Sequence, residues 1–270
     1  MSWLQETKVS KEELVVARRQ VHCAVDLIAT AEGALAIQLP DDSHRSLGWH
    51  SASLAFESIA LPGQIPFVIR VAVPDLNLEI WQSQGVRLHY APLIGGTLRD
   101  GLDELQRHIP VDLKYRQFDL AIYDEETPDP AWFAHPFPAE GREARIELGQ
   151  CYDEAFHLLT GLNDKLTARS AIRTWPHHFD MACLYPGYSP GSSIGVGMSP
   201  GDHDYPEPYW YLNIYPYRPD MTLPALSGWQ VHSEGWHGLV LTLSNATPRL
   251  GDDLFSGLAS MLELTKPADT

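Results

Sequence analysis

The chain has 270 residues, 44% of them hydrophobic, with a formal charge of −16 at pH 7. That length suffices for one large core or two intimately packed lobes, whereas the acidic balance argues against a nucleic-acid partner, whose affinity rests on Lys and Arg neutralising phosphates. No window approaches the roughly 20 apolar residues a membrane helix needs, and the opening MSWLQETKVSKEELVV has no apolar signal core, so we expect a cytoplasmic protein with no membrane partner.

Ser10 and Glu13 make a capping-box pattern ahead of Leu14, Ala17, Val21, Ala24, Ile28 and Ala31, which predicts an amphipathic helix from about Lys11 to Leu35. Short strands follow over 49–61, 65–73, 76–81 and 86–90, with turns at Asp75 and Ser83 to Gly85. Gly95-Gly96-Thr97 reads as a tight turn before an N-cap rather than an anion site. The helix it opens runs through His108 on the stripe Leu98, Leu102, Leu105, before a strand over 111–118. Pro128, Pro130, Pro136 and Pro138 make residues 124–145 an acidic connector without regular structure. Beyond it Tyr152, Phe156, Leu159, Leu162 and Leu166 predict a second long helix over about 149–168. A last helix carries Asp252 and Asp253 in its first turn and buries Leu254, Phe255, Leu258, Met261 and Leu262. Cys23, Cys151 and Cys183 lack any CxxC pairing, which suits buried thiols in a reducing compartment. The reading is α+β: two packed lobes, residues 1–123 and 146–270, each a helix, an antiparallel β-meander and a helix.

Four runs in the second lobe, read with the two-residue period of a strand, outline a cleft. In the first, Trp175, His177, Phe179, Met181, Cys183 and Tyr185 share one side, and Pro176, His178, Asp180, Ala182 and Leu184 the other. The second sets Ile194, Val196 and Met198 against Ser193, Gly195, Gly197 and Ser199. Trp210, Leu212 and Ile214 of the third leave Tyr209, Tyr211, Asn213, Tyr215 and Tyr217 on its other face. The fourth, residues 230–244, places His232, Glu234 and Trp236 opposite Leu239, Leu241 and Leu243, unless a bulge at Gly235 shifts the register. Glycine weakens a strand and packs nothing, so Gly195 and Gly197 point to close approach of another group. The expected cleft thus has a Ser/Gly floor between a His178/Asp180 wall and a Tyr209/Tyr211/Asn213 wall, with His232 and Glu234 on the same face.

Residues i and i+2 of a strand point the same way about 6–7 Å apart. His178 and Asp180 can therefore converge on one substrate group, as an imidazole oriented by a carboxylate for acid–base work. Together with His232 and Glu234 they also make a two-His, two-carboxylate set suited to zinc, iron or manganese, although no HExxH or cysteine pattern supports a metal and no cofactor is assigned. His177 and His237 lie on apolar sides and read as core histidines. The Asp202/Asp204 stretch reads as a strand-connecting turn, with Glu207 at the cleft rim.

The segments WPHHFDMA, SIGVGMSPGD, EPYWYLNIYPY and HSEGWHGLVL, in this order, resemble an uncharacterised bacterial family catalogued only as a domain of unknown function. The resemblance implies no activity, cofactor or fold; among the candidates it singles out Asp180. The expectation is a small-molecule cleft serving an enzyme with His178, Asp180 and Glu234 as catalytic groups and Tyr209, Tyr211, Asn213, Gly195, Gly197 and His232 around the ligand. The alternatives are a non-catalytic binding or sensor protein, or an interaction module with an aromatic sheet face.

Overall fold

The computed structural model describes residues 9–41, 43–109, 113, 135–166 and 169–267. Over these the chain divides into an N-terminal unit, Thr7–Asp153 with Arg173–Phe179, and a C-terminal unit, Glu154–Ile172 with Asp180–Thr270. The fold is α+β with two antiparallel sheets.

The N-terminal unit begins with helix α1 (Lys11–Leu35). Its capping box is made as the sequence predicts: Ser10 Oγ accepts from the Glu13 N–H at 3.2 Å, and Glu13 Oε2 accepts from the Ser10 N–H at 2.7 Å. The strand expected over 49–61 is a hairpin instead, β1 (Gly48–His50) and β2 (Ala55–Glu57), because a 3-10 turn at Ser51–Ser53 leaves Leu54 left-handed at φ 46°. Strands β3 (Phe67–Ala72), β4 (Asn77–Gln82) and β5 (Arg87–Pro92) complete a five-stranded sheet in chain order. Helix α2 (Leu98–His108) follows, capped by Thr97. Its Gly101 lies so close to α1 that a Cβ there would come within 2.8 Å of Leu27 Cδ1.

Of the strand expected over 111–118, only Leu113 is described, and residues 124–134 of the expected connector also lie outside the described residues. Helix α3 (Arg142–Lys165) starts at Arg142 rather than near residue 149. Strong helix formers follow Gly141 directly, and the buried Arg145 hid the stripe: its guanidinium donates to Gln20 Oε1 at 2.7 Å, Glu140 O at 2.8 Å and Pro74 O at 3.0 Å. Short strand β6 (Arg173–Trp175) belongs to this unit, where Thr174 bridges Leu47. Around Phe56 the rings of Trp49, Tyr152 and Phe179 pack with centroids 4.8–5.2 Å away.

In the C-terminal unit, β7 (Asp180–Pro186), β8 (Ser193–Ser199) and β9 (Tyr209–Tyr215) form an antiparallel meander, and β10 (Gln230–His232) and β11 (Gly238–Thr242) add a hairpin outside β9. The fourth run is therefore two strands, since Gly235 takes φ 78° and turns the chain there. One sheet face is apolar: Met181, Cys183, Tyr185, Ile194, Val196, Met198, Trp210 and Leu212 are all buried. Helix α4 (Leu250–Leu264) packs on it, and Gly257 allows the approach, a Cβ there lying 2.6 Å from Leu212 Cδ1.

Candidate functional site

Cross-strand register assembles the other face. Tyr211 of β9 stands opposite Gly197 of β8, which stands opposite Ala182 of β7. Directly paired residues of an antiparallel sheet project to the same side, so Tyr211, Gly197 and Ala182 share a face with Asp180, two residues before Ala182. With no side chain at Gly197 in the way, the Tyr211 ring lies across β8 and its hydroxyl donates to Asp180 Oδ2. A Cβ at Gly197 would sit 2.5 Å from that hydroxyl and 2.8 Å from the Met181 carbonyl oxygen. Gly195 is opposite Asn213 in the same manner, and a Cβ there would run into Asn213 Oδ1. The close approach inferred from both glycines is real, and the approaching groups are Tyr211 and Asn213 of the adjacent strand. The expected floor is covered by one of its expected walls.

The neighbouring phenol repeats the arrangement. Tyr209 donates to Asp202 Oδ2 at 2.5 Å, while Asp202 Oδ1 accepts the Tyr205 N–H at 2.9 Å. Burial, reinforced by the adjoining carboxylate, raises the pKa of both Tyr209 and Tyr211 above the ordinary phenol value. Both therefore stay protonated as donors at neutral pH. Tyr205 is also shifted upward, by burial first and then by Asp204 and Asp202.

His232 stays on this face in spite of the hairpin, because it pairs with Gly238, which pairs with Asn213. Its ring is buried and both nitrogens are engaged: Nδ1 lies 2.9 Å from Tyr205 Oη and Nε2 lies 2.6 Å from Glu234 O. Since a carbonyl only accepts, Nε2 carries a proton, and a neutral ring then takes the phenol proton of Tyr205 at Nδ1. Trp236 stacks on this ring with centroids 4.2 Å apart and meets Tyr211 edge-on at 6.0 Å. Glu234 is exposed in the turn and joins the cluster through its main-chain oxygen.

His178 is placed differently from the expectation. It does not precede Asp180 in one strand: residues 176–179 form a turn between β6 and β7, and Phe179 is left-handed at φ 54°, which breaks the two-residue alternation. His178 is exposed there, with its ring 4.5 Å from that of His177. The turn is held within the N-terminal unit, where His22 Nε2 donates to Pro176 O and Tyr152 Oη donates to Phe179 O. His177 is half-buried beside Trp175, and His237, rather than lying among leucines in a strand, stacks on Tyr217 at 3.9 Å in the turn before β11. Among the described residues, no group of three donor side chains close enough for one metal ion includes His178, Asp180, His232 or Glu234.

Sequence reasoning missed Asp202 and Tyr205 as parts of the cluster. Their segment carries only turn signals, and the partner of Asp202 becomes visible only once Tyr209 is registered against Ser199 at the strand end. Glu207 serves the turn after β11, accepting from the Ser244 N–H and Oγ at 2.8 Å each. The Gly95 and Gly96 amides donate to Phe137 O and Leu93 O, so they close a turn instead of facing an anion. No protein-family model, no curated protein and no solved structure matches the chain.

Proposed function

We propose that the C-terminal unit is a non-catalytic binding module for a small polar molecule, with an organic cation preferred over an anion. The observation that carries this reading is a pair of carboxylate–phenol contacts, Asp180 with Tyr211 and Asp202 with Tyr209, on one sheet face beside the rings of Tyr205, His232 and Trp236. Aromatic faces and carboxylates both attract cations, and a chain with net charge −16 concentrates them around itself. Proton transfer is less well served: the phenols are held protonated and His232 has both nitrogens in use.

The test is thermal unfolding with a panel of small organic cations, neutral polyols and carboxylate anions. A ligand at a hundred times its Kd adds about 2.7 kcal/mol, so at least one cation should raise Tm by several degrees, and Asp202→Asn or Trp236→Ala should abolish the rise. A panel without any effective cation, or a rise that persists in both variants, overturns the reading.

A further inference from the structure

We propose that the N-terminal unit carries a transition-metal site of the zinc class, formed by His89, Glu104 and His108. His89 is on β5, opposite Ile80 of β4, and the other two are on α2 at i, i+4 spacing, which puts them on one helix face one turn apart. A single carboxylate oxygen, Glu104 Oε1, lies 2.8 Å from His89 Nε2 and 3.7 Å from His108 Nε2. The donor atoms of all three residues fall within 4.8 Å of one another. Zinc bonds of about 2.0–2.2 Å to nitrogen and oxygen in a tetrahedron require donor separations of about 3.3 Å, so small side-chain rotations close the set around one ion.

Two further observations distinguish this cluster from an ordinary ion pair. His89 Nε2 is shielded from solvent and, despite its 2.8 Å approach to Glu104, lacks the alignment of a hydrogen bond with any described group. A buried ring nitrogen so placed wants a partner, and a metal ion would supply one. The imidazoles of His89 and His108 also stack with centroids 3.9 Å apart. The side-by-side rings bring both Nε2 atoms toward the same Glu104 oxygen, where each can offer its lone pair to one ion. Arg107 donates to Glu104 Oε2, fixing the carboxylate from outside, as groups around metal ligands do. His108 is 39% exposed, which leaves the solvent side of the ion open to water. Two imidazoles and one carboxylate suit zinc or cobalt over magnesium or calcium, which take all-oxygen shells.

The experiment uses the full chain, without a histidine tag and stripped with chelator, titrated with Zn(II) by calorimetry and with Co(II) by visible absorption. One ion per chain is expected, with Co(II) bands of four- or five-coordinate geometry, and affinity should fall by about tenfold or more in each of His89→Ala and His108→Ala. His108→Ala is the deciding variant if His89→Ala fails to fold, since His108 is the more exposed ligand at the end of α2. Binding of less than one ion per chain, or unchanged affinity in folded His108→Ala, overturns the proposal. His232→Ala is the control and should leave metal binding intact.

Discussion

At the scale of single residues, His22 shows how a side chain outside the candidate cluster governs the segment richest in histidine. Its ring stacks on Phe179 at 4.6 Å and its Nε2 donates to the Pro176 carbonyl, so the turn of residues 176–179 is pinned by a histidine that reads in sequence as one position of an amphipathic helix. Burial, opposed only in part by that hydrogen bond, lowers its pKa from 6.5 to about 4. The unfolded chain therefore takes up this proton first as the pH drops. The stability from keeping the ring neutral is complete above about pH 6.5 and is lost as the pH falls toward about 4. The effect is on the order of 2–3 kcal/mol. His22→Gln keeps a donor but cannot titrate, so its Tm deficit relative to the parent should be larger at pH 7 than at pH 4.5. A deficit independent of pH would mean that the ring is not held neutral.

At the scale of elements, the aromatic face depends on close approach across three strands. Gly197→Val would be favourable by β propensity alone, yet its Cβ meets the Tyr211 hydroxyl and, less yieldingly, the Met181 main-chain oxygen. We expect a loss of about 1–3 kcal/mol, as for overpacking, measured by chemical denaturation. At Gly195 the obstacle is the flexible end of Asn213, so Gly195→Val should cost less than Gly197→Val. Equal costs at both positions would contradict the arrangement. Helices were the most legible elements: Ser10 and Thr97 announce α1 and α2 through capping boxes, and of the stripe expected for α4 Leu254, Leu258 and Met261 are buried, whereas Phe255 is exposed and Leu262 only half-buried. Strand breaks were less legible, because Leu54 and Phe179 adopt positive φ without being glycine. Such conformations are imposed by surrounding contacts, among them the His22 and Tyr152 hydrogen bonds around residues 176–179.

For the whole molecule, the units interleave along the chain. Residues Arg142–Asp153 and Arg173–Phe179 belong with the N-terminal unit, and they include the buried Arg145, Tyr152 and Phe179. A fragment ending at residue 145 therefore lacks two members of the ring cluster around Phe56. We expect residues 1–145 alone to show no cooperative thermal transition, while a fragment 1–179 regains one; cooperative melting of the shorter piece would refute this partition.

By itself the sequence determined the α+β class, the bounds of α1 and α2, and the division of β8 and β9 into an apolar face and a Gly/Tyr/Asn face. Each of these follows from local periodicity or capping chemistry, which acts over a few residues. Tertiary structure alone decided what lies on Gly195 and Gly197, where the carboxylate partners of Tyr209 and Tyr211 come from, and that His178 leaves the strand. It also brought His89 to Glu104 and His108. These outcomes depend on register and packing between segments far apart in the chain, and a two-residue or 3.6-residue period carries no information about the neighbour a face will meet.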